Sequence, residues 1–287
     1  MKLSPYIVKP GSKLNLNKLK TGDTGKYRSK EDAIEKLEDN INAMADLQGK
    51  LYAQDRLALL IVFQAMDGGG KDSSIKHVMT GLNPQGTQVT SFKQPSKEEL
   101  DHDFLWRISR SLPEKGRIGI FNRSHYEEVL VVRVHNLLLQ EKLPQNALKK
   151  NIWDMRFKQI NSFEKYLFDT GTYIIKFFLH ISKEEQKQRF LDRINDPSKN
   201  WKITEEDFKE RQYWDQYQKC YEDAIKQTSK THAPWYVIPA DKKWFAHLVI
   251  SEVIIKTMQS MNIQYPQITE EQKKRLQVVK QNLLSEK

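Results

Sequence analysis

Residues 57–76 read Leu-Ala-Leu-Leu-Ile-Val-Phe-Gln-Ala-Met-Asp-Gly-Gly-Gly-Lys-Asp-Ser-Ser-Ile-Lys. The apolar run at 57–63 is short and continuous, the pattern of a strand buried on both faces of a parallel sheet. It leads into Gly68, Gly69 and Gly70, which can take backbone angles closed to other residues and let a ligand approach the main chain. Their N–H groups and the start of the next helix offer donors to an anion. Lys71 adds a mobile positive charge. Strand, glycines, lysine and helix in that order predict a phosphate-binding loop. The match to G-x-x-x-x-G-K-[ST] is incomplete. Ala65 replaces the first glycine, and Asp72 stands where a hydroxyl would meet magnesium. Asp67 is an extra carboxylate before the lysine and a candidate metal ligand in its place.

The chain around this loop has 287 residues, room for one large α/β domain with appendages or two small domains. It carries no apolar run long enough to span a bilayer, and its basic start lacks an apolar signal core. No membrane partner is expected. Cys220 is the single cysteine, which excludes an intrachain disulfide and fits a reducing cytoplasm. A formal net charge of +10 suits a polyanionic partner: nucleic acid, an acidic membrane surface or a phosphate-rich substrate. Charge does not choose among them.

In chain order, residues 1–28 read as an irregular arm broken by Pro5, Pro10, Gly11, Gly22 and Gly25. Ser29 and Asp32 open a helix whose apolar stripe is Ile34, Leu37, Ile41, Met44 and Leu47, with Gly49 as its stop. Further strands are expected at 87–92, 117–121, 173–179 and 235–238. Helices are expected after Ser96, at 145–170, from Ser182 to 195, from Thr204 onward and at 243–258. Residues 266–287 form a C-terminal segment whose charged helix, from 269, frays at its end. The alternation predicts one three-layer α/β/α domain over 29–265 with a five-stranded parallel sheet. Ser124 and Glu127 form a capping-box pattern after the 117–121 strand. Asn122 and Arg123 therefore sit at a strand's carboxyl end, where open parallel sheets bind ligands. The aromatics between Phe208 and Tyr221 read as core or subunit interface, and Cys220 as a small buried hydrophobe.

Several motifs occur together in order. Asp67-Gly-Gly-Gly-Lys71 is followed by Ile75-Lys76, Phe92-Lys-Gln-Pro-Ser96 and Asn122-Arg-Ser-His-Tyr-Glu127. Then come Gln188-Arg-Phe190, Asp196-Pro-Ser-Lys-Asn-Trp-Lys202 and Ala233-Pro-Trp235. Each alone is weak, but the ordered set resembles the polyphosphate kinase 2 family. His-Tyr-Glu after the third strand is similar to the branch, class III, that accepts both AMP and ADP. The resemblance implies a P-loop kinase core with a helical lid, here about 182–212. It also implies magnesium-dependent phosphoryl transfer between inorganic polyphosphate and AMP, ADP or ATP, and a homo-oligomer, a tetramer or dimer.

The chemistry of the residues agrees. Phosphoryl transfer needs positioning and charge neutralisation along an in-line path. Lys71 and the amides of Gly68, Gly69 and Gly70 can hold the transferring phosphate, and Asp67 can hold magnesium. Arg123 offers a bidentate fork to phosphate oxygens. Lys76, Arg189 and Arg193 are the candidate track for a polyphosphate chain, and Asn122 and Glu127 belong to the nucleotide or metal environment. Two rival readings remain open. An ATP-dependent nucleoside monophosphate kinase shares the loop but needs no long cationic track. A non-enzymatic basic protein binding nucleic acid accounts for the charge, but no nucleic-acid motif supports it.

Overall fold

The computed structural model describes residues 1–140, 143 and 151–286. Its elements in order begin with β1 (Ile7–Val8), α1 (Ile34–Gln54), β2 (Ala58–Ala65), α2 (Lys71–Met79) and β3 (Thr87–Ser91). Next are α3 (Lys97–Leu100), α4 (Trp106–Ser109), β4 (Ile118–Asn122), α5 (Val131–Val134) and α6 (Ile152–Asp169). The remainder is β5 (Thr172–His180), α7 (Lys183–Asn195), α8 (Glu205–Gln212), α9 (Trp214–Thr228), β6 (Trp235–Pro239), α10 (Lys243–Ser260) and α11 (Glu270–Ser285).

Among the described residues six strands form one sheet in the order β1-β6-β5-β2-β4-β3. β2 is buried at every position, so it needs cover on both faces. It pairs in parallel with β4 on one side, Phe63 opposite Asn122, and with β5 on the other, Ala65 opposite Leu179. The helices form two packed groups: α1 and α2 both pack on α10, and α6 packs on β5 and α9. Chain direction diverges around β2. From it the chain moves outward through α2 to β3, whereas from β5 it moves to β6 on the opposite flank. The carboxyl ends of β2, β4 and β5 thus converge at a topological switch point.

The sheet has six strands where five were expected. The sixth comes from the N-terminal arm: Ile7 and Val8 pair antiparallel with Tyr236 and Trp235, capping the open edge of β6. Two residues between Pro5 and Pro10 carry no readable alternation, so only the waiting edge makes them a strand. The arm is anchored further by buried Leu16, whose N–H donates to Glu222 Oε2 at 2.9 Å. Gly49 does not end α1. The helix runs on to bury Leu51 and stops at Asp55, which takes a left-handed φ of 51°. Glycine at 49 instead leaves room for Tyr265, whose hydroxyl would lie 3.0 Å from an added Cβ. The helix expected at 145–170 is seen as Ile152–Asp169; its first residues, 145–150, lie outside the described ones. The helix expected from Thr204 onward is divided at Tyr213 into α8 and α9. No helix of the described residues is long and apolar enough to cross a membrane.

On the α2–α10 contact His77 and His247 stack, centroids 4.6 Å apart and nearly parallel. Burial first, then the nearby charges of His77, Lys243 and Lys30, pushes the His247 imidazole down to about 3. The unfolded chain takes up this proton near 6.5, so between the two values it binds more protons than the folded state. Stability therefore falls as pH drops through that window. His247→Phe keeps a ring on His77 and removes the proton. Urea unfolding at stepped pH between 6.5 and 3 should show a flatter stability profile for the variant, by up to about 1.4 kcal/mol per pH unit; parallel profiles would contradict it.

Candidate active site

The loop 66–70 turns tightly between β2 and α2. Gly68 and Gly70 take left-handed angles, φ 75° and 97°, that side chains resist. Gly69 is required for space: an added Cβ would lie 2.5 Å from Ala65 Cβ and 2.7 Å from Met66 O. Gly70 precedes the first residue of α2, Lys71. The N–H of Gly69 donates to Met66 O at 2.9 Å. Among the described residues, the N–H groups of Gly68, Gly70 and Lys71 donate to no protein acceptor, which leaves a nest of donors at a helix start.

Four ionised groups surround this nest. Lys71 is buried, its Nζ donating to Ala65 O at 3.0 Å and lying 4.0 Å from Asp67 Oδ1. Burial first and then repulsion from Arg123 lower its pKa, against the pull of Asp67, Glu127 and Asp72. Arg123 Nη2 donates to Asp67 Oδ1 at 2.7 Å, and its Nη1 lies 3.9 Å from Glu127 Oε2. Burial acts to raise the Asp67 pKa, but Lys71, Arg123 and Arg193 outweigh it and hold the carboxyl below its ordinary range. The Arg123 guanidinium opposes its own desolvation through Glu127 and Asp67, which hold it charged. Its backbone sits at φ 63°, a conformation disfavoured for a residue with Cβ, held by its N–H donating to Phe63 O at 3.0 Å.

The turn behind Arg123 is supported from the core. Ser124 Oγ accepts from Tyr126 N–H at 3.2 Å, but Glu127 does not complete the expected capping box. Its Oε1 accepts instead from Gln64 Nε2 at 2.9 Å, because the turn winds as a 3-10 helix and carries Glu127 back over β2. Below it, the hydroxyl of fully buried Tyr126 meets Lys176 Nζ at 2.9 Å and Glu164 Oε1 at 2.9 Å, and His125 Nε2 lies 3.2 Å from the same carboxylate. Burial lowers the Lys176 ammonium to about 8 in spite of Glu164.

The remaining residues singled out from the sequence fall at different distances from this centre. Asn122 faces Asp72, its amide nitrogen donating to Asp72 Oδ1 at 2.9 Å. An ionised carboxylate only accepts, so the amide presents its NH₂ there. Lys76 is exposed on α2 and, among the described residues, makes no side-chain bond. Arg189 is buried, and its donors go to Glu185 Oε1, Gly68 O and the backbone of Ala240 and Asp241. Arg193 is close enough to act on the charge of Asp67, while its Nη1 donates to Lys202 O at 3.1 Å.

Three features escaped the sequence reading. Gln64 interrupts the apolar strand and receives Glu127; its polarity inside that run was the available signal. Gln186 is buried and donates to Asp67 O at 2.8 Å. Tyr221, expected in the core or at a subunit interface, is in the core, and what the sequence does not show is that it also lies near enough to Glu127, Arg123 and Asp67 for their charges to act on its hydroxyl; burial first, then Glu127, raises its pKa far above the ordinary value. Beside Arg123 a cavity of about 550 Å³ opens, walled by Phe92–Pro95, Glu99–Phe104 and the turn from Arg123 to Glu128. Arg107 also lines it, donating to Lys93 O at 2.9 Å.

A donor nest at a helix start, a buried lysine and an arginine shared with an adjoining cavity are the parts of a P-loop phosphotransferase. The family model for polyphosphate kinase 2 matches residues 27–266. The ADP-polyphosphate phosphotransferase of Rhodopseudomonas palustris is 49% identical over 286 residues, 99% of each chain. The AMP/ADP-polyphosphate phosphotransferase of Meiothermus ruber is 44% identical over 266 residues, 92% of this chain and 96% of that one. A crystal structure of polyphosphate kinase 2 from Arthrobacter aurescens superimposes with a TM-score of 0.86 at 37% identity, covering 95% of both chains. The chain belongs to the polyphosphate kinase 2 family.

Gly69→Ala tests the loop geometry directly. The added methyl collides with Ala65 and Met66 O, so the loop must open. Phosphoryl transfer should fall at least 100-fold, the scale of losing aligned donors, with the melting temperature within a few degrees of wild type. Activity within a few-fold would show that the tight turn is not needed.

Proposed function

We propose that the protein transfers phosphoryl groups reversibly between inorganic polyphosphate and adenine nucleotides, AMP to ADP and ADP to ATP. The observation that carries this reading is the junction of two compartments at Arg123: the free amides of Gly68, Gly70 and Lys71 on one side and the 550 Å³ cavity on the other. The cavity has the volume of an ordinary small-ligand site. Its apolar wall, Leu100, Phe104 and Val131, suits a base, and Arg123 suits the acceptor phosphates. The nest and Lys71 take the end of the polyphosphate chain. An oxygen of the acceptor phosphate then attacks the terminal phosphorus in line, and the shortened chain leaves with the bridging oxygen. Lys71 and Arg123 neutralise charge on the transferring group and need no covalent step.

Magnesium fits the residues present. Asp67 Oδ1 is engaged by Arg123, whereas Oδ2 has no hydrogen bond among the described residues. No group of three or more His, Cys, Asp and Glu side chains among them forms a metal cage. That suits an ion held by one carboxylate, its waters and substrate phosphates. When bound, it would neutralise phosphate charge. Asp67 would orient it. Residues 182–212 serve as the lid of the site, with Arg193 the cation of α7 that extends the basic track. Lys76, exposed on α2, extends that track past Lys71. A cytoplasmic location and a dimer or tetramer complete the reading. Exposed Leu276, Val279 and Leu283 along one face of α11 offer apolar surface to a second copy.

Incubation with magnesium, polyphosphate and AMP or ADP, without ATP, should yield ADP and ATP. With AMP as the sole nucleotide, an ATP-dependent monophosphate kinase or a nucleic-acid-binding protein would yield neither, and with ADP either would give no more product than the same mixture without polyphosphate. Lys71→Ala should lower the rate roughly 10²- to 10³-fold in a folded protein; a loss of only a few-fold would remove Lys71 from the chemistry. Asn122→Asp replaces an amide–carboxylate bond with two facing carboxylates. It should lower the magnesium concentration for half-maximal rate and shift the ratio of AMP to ADP phosphorylation, with unchanged magnesium titrations for both acceptors as the contrary result.

A further inference from the structure

A loop that aims amides at an anion must turn its carbonyls elsewhere, and buried carbonyls need donors. In residues 65–68 each carbonyl has one. Ala65 O accepts from Lys71 Nζ and Met66 O from Gly69 N–H. Asp67 O accepts from Gln186 Nε2 at 2.8 Å and Gly68 O from Arg189 Nη1 at 2.9 Å. These last two donors come from α7, more than a hundred residues away. Gln186, Arg189 and Phe190 share one face of that helix, and Phe190 lies on Gly68, 3.0 Å from where a Cβ would be. Arg189 is fixed in turn by Glu185 at 2.8 Å and by the carbonyl of Ala240, and Gln186 Oε1 accepts from Arg211 at 2.7 Å.

We propose that Gln186 and Arg189 are positioning residues for phosphoryl transfer. They hold the carbonyls of Asp67 and Gly68 outward, so that the amides of Gly68, Gly70 and Lys71 and the Asp67 carboxylate face the phosphate. The need is specific to this loop. Three consecutive glycines leave the peptide planes free to rotate, and a flipped plane points a carbonyl oxygen at an anion. Arg189 thus acts through its planar fork on backbone oxygens, not through its charge on polyphosphate. Its sequence-based assignment to the phosphate track is replaced by this role. Arg193, one turn further along the same helix, stays on the track.

The inference rests on residues 67–71 being the phosphate cradle, so Lys71→Ala is included as the control for that reading. Gln186→Met keeps size and neutrality but cannot donate. It should lower kcat with polyphosphate ten- to a hundredfold and weaken tripolyphosphate binding by calorimetry, with the KM for nucleotide and the melting temperature nearly unchanged. Arg189→Lys keeps the charge but loses the fork, and should be as impaired as Arg189→Gln. The salt dependence separates positioning from contact. Losing a direct phosphate contact lowers the slope of log KM for polyphosphate against log salt by roughly one. Arg193→Gln should show that reduction, and Arg189→Gln should keep the wild-type slope. If Arg189→Gln loses slope and Arg189→Lys is active, Arg189 touches polyphosphate and the inference is overturned. It is overturned equally if Gln186→Met matches wild type while Lys71→Ala is inactive. An active Lys71→Ala would instead overturn the cradle reading itself. Should the Arg189 variants fail to fold, Gln186→Met decides the question.

Discussion

A peptide group cannot offer its N–H to a ligand without sending its C=O somewhere, and this constraint organises the molecule around residues 65–70. Each of the first four carbonyls finds a donor inside the protein: the loop's own lysine, the loop's own glycine, and two side chains of α7. Consequences spread outward from there. α7 must lie flat on the glycines, which is why Phe190 sits on Gly68. The β6–α10 turn must supply the carbonyls of Ala240 and Asp241 to hold Arg189. Asp241 in turn accepts from Ser182 N–H at 2.8 Å, fixing the start of α7, and from Thr21 Oγ1, drawing in the N-terminal arm.

The charges follow a second rule. Lys71 and Arg123 repel each other in a partly dehydrated space, and Asp67 and Glu127 offset that repulsion before any substrate arrives. Arg123 engages Oδ1 of Asp67 and leaves Oδ2 without a hydrogen bond among the described residues. Arg123 both bonds Asp67 and lines the cavity, and its backbone is held in the left-handed region, at φ 63°. Such a conformation costs roughly 1–3 kcal/mol, and the turn that follows it is anchored through Tyr126 to the buried Lys176–Glu164 pair.

The sequence by itself determined the central strand, the glycine loop and the helix beyond it, because these depend on local rules. An unbroken apolar run has to be buried on both faces, and left-handed angles call for glycine. Placement of Asn122 and Arg123 at a strand end, and of the capping boxes at Ser96 and Thr204, was legible for the same reason. What a polar residue inside the fold bonds to was not legible, since it depends on which distant segment arrives beside it. Arg189 and Arg193 are alike in sequence, four apart on one helix. Only tertiary structure buries the first against loop carbonyls and leaves the second near the charge of Asp67. Gln186, the Glu127–Gln64 bond and the sixth strand at Ile7–Val8 belong to the same class. In each the partner is an unsatisfied backbone or side-chain group exposed by folding elsewhere, and no local pattern encodes it.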